Sequence, residues 1–315
     1  MTRQEILNSI PLKKRFVKDC GLPISIYINP YFYERVQSLD VIYGSIEKFD
    51  RFCCQLSTHS SEQEYFDEYC LVKESAISCI KNSELFSAFI EEDFHIVHQY
   101  PKRNLYIDEN DDATFISIGM KKANFSALHH YASRIFNNCN TWEDYIGQFT
   151  NNSHIINSKY IRQVILGACN PKKQIQYERY LMTILCNWIV DNIPSVNIYS
   201  LIDDEIIIQT PKEYGVETGY SLSRLKQVVN SCPNKIGLLA RVQEFDLFKI
   251  RGTNSWRKVW FEDGERQTEF KCPDSDTIHQ VIKYYYGKSI TENDLVFVHN
   301  GKLAAFLKPI KNPFN

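Results

Sequence analysis

Residues 197–210, NIYSLIDDEIIIQT, decide the fold of this chain. Two short runs rich in apolar and β-branched residues, 198–201 and 205–208, flank the adjacent carboxylates Asp203 and Asp204, a pattern that predicts two strands joined by a tight turn. Like charges so close repel each other, so a shared cation is expected there. A divalent metal ion that carries nucleotide phosphates is one solution. The alternative is a plain hairpin whose turn uses short polar side chains.

Composition favours a globular protein of an intracellular, cytoplasmic and reducing compartment. The 315 residues are 43% hydrophobic, with a formal net charge of -2. No apolar run approaches the roughly 20 residues that span a bilayer, and the first residues lack a signal-peptide core, so no membrane partner is expected. The ten cysteines form no CxxC pair, which argues against a disulfide framework or a zinc ribbon.

The chain divides into three predicted regions. Residues 1–94 show helical apolar spacing, with Ser61 and Glu64 as a capping box, and predict an α-helical N-terminal region. Residues 95–251 alternate strand and helix patterns. Residues 252–315 predict a small β-rich C-terminal region with one helix over 276–286 and a turn at Asn300-Gly301. Its segment 256–260, WRKVW, is either a surface for bases and phosphates or part of the core.

The central region predicts an α+β fold, with helices covering one face of an antiparallel sheet. A first hairpin is expected over 104–107 and 113–118, followed by a helix from about residue 122. The loop 167–171 precedes a long helix over 172–190. After the Asp-Asp hairpin come a helix over 221–229 and a strand over 235–242.

This order resembles the palm domain of reverse transcriptases and RNA-dependent RNA polymerases. The motifs that carry the resemblance are FISIGMKKANF over 115–125, GACNPKK over 167–173 and LIDD over 201–204. They lie within about residues 100–250. The resemblance implies a palm-like sheet, Mg²⁺ or Mn²⁺ as cofactor, and nucleic acid and a nucleoside triphosphate as partners. It leaves DNA or RNA, and the oligomeric state, open.

One position departs from the family pattern. Where the first palm strand carries a metal-binding aspartate, this chain has Gly119. Two-metal phosphoryl transfer uses carboxylates that hold ions about 3.5–4 Å apart. Three readings follow: an enzyme that takes its second carboxylate from elsewhere, a palm kept for binding alone, or a replaced aspartate. Weak or silent catalysis is expected, with metal-dependent transfer restored by Gly119→Asp.

The resemblance also implies roles for particular residues. The catalytic positions would be Gly119, Asp203 and Asp204, and the two aspartates would hold the metal ion. The residues expected to contact nucleotide or nucleic acid are Lys121, Lys122, Asn170, Lys172 and Gln176. Each basic residue has a simpler alternative as a solvated surface side chain.

The leading hypothesis is therefore a palm protein acting on nucleic acid, nominally a nucleotidyltransferase. The alternative is a non-catalytic nucleic-acid-binding or protein scaffold that keeps the palm fold. A metal-dependent nuclease would use similar acids without requiring the long helix before the hairpin. The palm hypothesis predicts that the Asp203-Asp204 turn lies beside the end of the strand that contains Ile118.

Overall fold

The computed structural model describes residues 1–96, 98–210 and 221–314, and its N-terminal region is helical as predicted. Ser61 is the N-cap of the fifth helix, and its hydroxyl accepts a hydrogen bond from the Glu64 N–H. The Glu64 carboxylate accepts from the N–H and hydroxyl of Ser60, both at 2.6 Å. The helices are α1 (Arg3–Asn8), α2 (Ile10–Cys20), α3 (Tyr31–Tyr43), α4 (Ser45–Leu56), α5 (Glu62–Lys81) and α6 (Glu84–Glu91).

A six-stranded antiparallel sheet occupies the centre of the described structure, in the order β2-β3-β1-β4-β5-β6. Because β3 lies between β1 and β2, the first four strands with their helices form a split β-α-β-β-α-β arrangement. The strands are β1 (Ala113–Met120), β2 (Ile198–Ile202), β3 (Glu205–Gln209), β4 (Ala240–Lys249), β5 (Trp256–Glu262) and β6 (Glu265–Lys271). The predicted Asp-Asp hairpin is thus confirmed as β2 and β3.

The predicted α+β class is also confirmed. Alternate residues of β1 point to opposite faces. Ile116, Ile118 and Met120 belong to the main core with the helices, whereas Ala113 and Phe115 pack in a smaller cluster on the other face. The helices after β1 are α7 (Ala123–Tyr131), α8 (Trp142–Ile146), α9 (Ser153–Ile156), α10 (Lys159–Gly167), α11 (Pro171–Asn192) and α12 (Leu222–Asn230).

Two sequence predictions about strands were wrong. Residues 104–107 form no strand, because the buried Asn110 side chain donates hydrogen bonds to the Leu105 carbonyl at 2.8 Å and the Tyr199 hydroxyl at 2.9 Å, which hold this segment as a loop. The strand expected from residue 235 begins only at Ala240. The preceding segment, Pro233–Leu239, consists of 3-10 turns interrupted by a kink, where Asn234 and Lys235 adopt left-handed backbone.

The C-terminal region packs on both the sheet and the N-terminal helices. Its strands β5 and β6 extend the central sheet, and helix α13 (Ile278–Tyr285) packs against α3. Strands β7 (Val296–His299) and β8 (Lys302–Ala305) form a separate sheet around the predicted Asn300-Gly301 turn. The buried Asp294 carboxylate contacts Lys283 at 2.6 Å and Arg35 of α3 at 3.5 Å, so an ion-pair network joins the two ends of the chain.

Candidate functional site

The Asp203-Asp204 turn lies beside the end of β1. Gly119 is paired with Glu205 in the β1–β3 register, and the Met120 N–H donates a hydrogen bond to the Asp204 carbonyl at 2.9 Å. The hairpin and the first strand are neighbours because β3, not β2, pairs with β1. The expected juxtaposition of this turn with the strand containing Ile118 is therefore confirmed.

Gly119 faces away from the helices of the main core. It alternates with Met120 and shares its sheet face with Ser117, whose hydroxyl donates a hydrogen bond to Glu205. A Cβ added at Gly119 would lie 3.8 Å from the Glu205 side chain and 3.8 Å from the Ser117 hydroxyl. The carboxylate next to position 119 is thus that of Glu205.

A buried lysine supplies positive charge on this same face. The Lys258 ammonium lies 4.0 Å from the centroid of the Phe245 ring. Burial lowers the pKa of Lys258, and the negative charge of Glu205 opposes that shift. Lys258 and Trp256 are both buried, so core packing describes these two residues of the WRKVW segment better than an open binding surface does.

Asp203 is neutralised by a side chain from the long helix α11. Its backbone has a left-handed φ of 42°, and its carboxylate accepts a hydrogen bond from the Arg179 guanidinium. The two adjacent carboxylates predict a cation near this turn, and Arg179 is such a cation. The Asp203 oxygen that pairs with Arg179 is correspondingly less available to a metal ion.

Asp204 lies near a second acidic side chain, that of Glu178. Burial, with repulsion from Glu205 and Asp203, raises the pKa of Asp204. Glu178 on α11 is only 7% exposed, and it forms no hydrogen bond with any described residue. Burial raises the pKa of Glu178 to about 7, and the charges of Asp204 and Asp203 add to that shift. Glu178 therefore lacks a compensating partner, whereas a backbone hydrogen bond and the charge of Lys159 partly oppose the rise in the pKa of Asp204.

Asp204 and Glu178 line one open cleft of about 450 Å³ between the end of β1 and helices α7, α10 and α11. Lys159 and Arg162 of α10 line the same cleft. Within the described chain, Lys159 makes no hydrogen bond or ion pair, and the buried Nε of Arg162 has no hydrogen-bond partner. Burial lowers the pKa of Arg162. The charge of Lys159 acts on Asp204 and the charge of Glu143 acts on Arg162, but neither cation forms an ion pair within the described chain. Both side chains therefore contribute positive charge to the cleft.

The structure separates the residues that the sequence suggested for nucleotide binding. Of those five, Lys122 lines the cleft, and its ammonium contacts the Glu143 carboxylate at 2.7 and 2.5 Å. Asn170 caps α11 by accepting from the Lys173 N–H at 3.3 Å. The Gln176 amide donates to the Phe94 carbonyl at 3.3 Å. Lys121 and Lys172 are exposed and lie outside the cleft lining.

Sequence reasoning missed Glu178, Lys159 and Arg162. A signal for Glu178 exists, because it lies four residues after Gln174 and four before Met182, on the stripe of α11 that is buried. An acidic residue on such a stripe is unusual. Lys159 and Arg162 follow Ser158, whose side chain caps α10, a helix that the sequence argument treated only as an apolar run.

The two-metal arrangement does not fit these residues. Gly119 supplies no carboxylate, Glu205 at the paired position is held by Ser117, and Asp203 is paired with Arg179. In the described ranges, no group of three or more His, Cys, Asp or Glu side chains is arranged to hold a metal ion. The difference from the palm pattern is therefore not confined to Gly119, because the neighbouring carboxylates of Glu205 and Asp203 are held by other side chains.

No family model, curated protein or solved structure matches this chain. The resemblance to palm domains accordingly depends on the motifs and on the order of the elements. Among the residues that the structure describes, no helix is long and apolar enough to cross a membrane.

Proposed function

We propose that this chain is a palm-type protein that binds nucleic acid through phosphate contacts in the cleft between α7, α10 and α11, and that it does not perform two-metal nucleotide transfer. The observation that carries the proposal is the pair Lys159 and Arg162, which line the cleft beside the Asp203-Asp204 turn without hydrogen-bonded anionic partners in the described chain. Lysine and arginine side chains bind phosphate oxygens through charge-assisted hydrogen bonds.

A second cavity indicates that the ligand is a strand of nucleic acid and not a single nucleotide. This cavity, of about 300 Å³, is lined by Lys48 and Arg51 and by His154, whose imidazole contacts the Asp19 carboxylate of the same lining at 3.1 Å. It shares Lys159 with the cleft. Basic side chains from α4 and α10 therefore line two adjoining cavities. Successive phosphates of a single strand could contact them in turn, which is how non-specific single-strand sites work.

The overall charge of -2 is compatible with this proposal because the basic groups are concentrated locally. The two nearby acids do not cancel them fully. Burial raises the pKa values of Glu178 and Asp204 and so favours their neutral forms. Because their neutral forms are favoured, these acids repel a bound phosphate less than two ordinary carboxylates would.

The test combines binding and catalysis on the wild-type chain. Fluorescence anisotropy with labelled single-stranded DNA and RNA of about 20 nucleotides should show binding that weakens steeply with salt, since each neutralised phosphate releases counterions. Primer extension and terminal addition with Mg²⁺ or Mn²⁺ should be silent.

Two results would contradict the proposal in different ways. Primer extension that Asp204→Asn abolishes would establish the polymerase alternative, despite Gly119. Absence of oligonucleotide binding at low salt would favour the protein-scaffold alternative. An Asp204→Asn variant that extends primers as well as the wild type would show that the activity comes from a contaminant.

A further inference from the structure

We infer that Glu178 and Asp204 form a binding site for one divalent cation, Mg²⁺ or Mn²⁺, inside the cleft and displaced from the face of Gly119. The site combines one carboxylate from helix α11 with one from the β2–β3 turn. It differs from the arrangement implied by the palm resemblance, in which the first strand supplies a ligand.

Glu178 is buried and has no hydrogen-bond partner among the described residues, and this observation points to a ligand. Its side chain is more than nine-tenths buried, lines the cleft and accepts no hydrogen bond from the described residues. Buried carboxylates are normally paired or bound to metal because an isolated buried charge is costly. Arg179, the nearest basic neighbour in α11, donates instead to Asp203.

Two carboxylates are enough for the proposed cation. Mg²⁺ keeps several waters and is commonly bound by one or two carboxylates together with phosphate oxygens, without a complete protein cage. This accounts for the site despite the absence of a three-residue metal group among the described residues. Lys159 and Arg162 line the same cleft and could hold the remaining phosphate charge.

The role of the cation rests on the proposed function, but its binding does not. With a nucleic acid present, the cation would bridge a phosphate to Glu178 and Asp204, which otherwise repel phosphate. Oligonucleotide affinity should then rise when Mn²⁺ is added. Without nucleic acid, the two carboxylates and water would hold the ion more weakly.

Titration calorimetry with Mn²⁺ alone tests the site on the metal-free protein. The wild type should bind one Mn²⁺ per chain, and Glu178→Gln should weaken that affinity about tenfold or more. The control is Glu292→Gln, which removes an exposed carboxylate from the C-terminal region, away from the cleft lining, and should leave the affinity within about twofold. Circular dichroism verifies folding of each variant.

Three results overturn the inference: no Mn²⁺ binding by the wild type, unchanged affinity in Glu178→Gln, or equal losses in both folded variants. Oligonucleotide binding in EDTA separates the two proposals. Binding that persists while Mn²⁺ fails to bind overturns the cation site and leaves the proposed function intact. Mn²⁺ binding that depends on Glu178, without oligonucleotide binding, supports the site and overturns the proposed function.

Discussion

Gly119 of β1 lies directly opposite Glu205 of β3, so the position at which the palm resemblance implies an aspartate has a glutamate as its cross-strand partner. The Glu205 carboxylate is held by Ser117, and Lys258 contributes positive charge to its surroundings. On the other side of the hairpin, Asp203 is paired with Arg179. Protein side chains therefore compensate two of the hairpin's acidic groups.

A small neutral side chain at position 119 should stabilise the fold, whereas a negative charge there, next to Glu205, should destabilise it. Gly119→Ala is expected to stabilise the fold by about 0.5 kcal/mol, because a strand glycine costs backbone entropy and the new Cβ would make ordinary 3.8 Å contacts. Gly119→Asp should instead destabilise it by roughly 0.5–1 kcal/mol through repulsion from Glu205. Denaturant unfolding measures both, with Gly119→Asn as the uncharged control. An aspartate variant as stable as the asparagine variant would contradict this arrangement.

Glu178→Gln should stabilise the metal-free protein. The substitution keeps the size of the side chain and removes a buried charge that lacks a hydrogen-bonded partner in the described chain. We expect a gain of roughly 2 kcal/mol at about pH 8, measured by urea unfolding in EDTA. Excess Mn²⁺ should stabilise only the wild type and so reduce the difference in unfolding free energy between the two proteins. A less stable glutamine variant in EDTA would show that the Glu178 charge is well compensated.

Asp294→Asn should destabilise the protein by breaking the ion pairs that join the C-terminal region to helix α3. Asp294 is 1% exposed, and its loss as an anion would leave the buried Arg35 and Lys283 without their carboxylate. Breaking a buried ion pair on one side costs about 3–5 kcal/mol. Urea unfolding should show this loss, whereas Glu292→Gln at an exposed neighbouring position should change stability by less than about 0.5 kcal/mol. Equal effects would contradict the network.

His279 should make the fold sensitive to acid. Burial lowers the pKa of His279 to about 3, from the ordinary value of 6.5, with repulsion from Arg35 adding to that shift. The unfolded chain therefore takes up a proton that the folded chain resists. The contribution to stability is full above about pH 6.5 and is lost as the pH falls toward 3.

Between about pH 8 and pH 5 this loss should amount to roughly 2 kcal/mol, since one pKa unit corresponds to about 1.4 kcal/mol. The measurement is urea unfolding at both pH values for the wild type and His279→Gln. The variant should be less stable at pH 8, because it loses the hydrogen bond from the imidazole to the Asp294 carbonyl at 2.8 Å. Its stability should, however, fall less between pH 8 and pH 5 than that of the wild type. Equal acid losses in both proteins would contradict the assignment to His279.

The sequence predicted the central hairpin well because its signals are local. Alternating apolar residues around Asp203 and Asp204 are enough to define β2 and β3, and the run before Gly119 defines most of β1. The neighbour relation between these elements required the palm resemblance, since strand order depends on contacts between distant residues. The predicted strand at 104–107 failed for the same reason, because Asn110 binds the distant Tyr199 hydroxyl.

The site residues were harder to predict than the fold. Arg179 and Glu178 are adjacent in α11, yet one pairs with Asp203 and the other lines the cleft with Asp204. Such assignments depend on the rotation of the helix against the turn, which apolar periodicity defines only approximately. Lys159 is exposed to the cleft only because α10 packs beside α7, a contact without a motif in the sequence.

The most direct test of nucleic-acid binding in the cleft is the anisotropy-measured affinity of the double variant Lys159→Gln, Arg162→Gln for a labelled single-stranded oligonucleotide over a series of salt concentrations. The control double variant is Lys302→Gln, Lys308→Gln, which removes the same charge from exposed C-terminal positions. The proposal predicts that the cleft variant binds about tenfold or more weakly than the wild type at low salt, with a salt slope reduced by about 2, while the control stays within about twofold. Equal affinities and slopes for wild type, cleft variant and control would contradict the proposal.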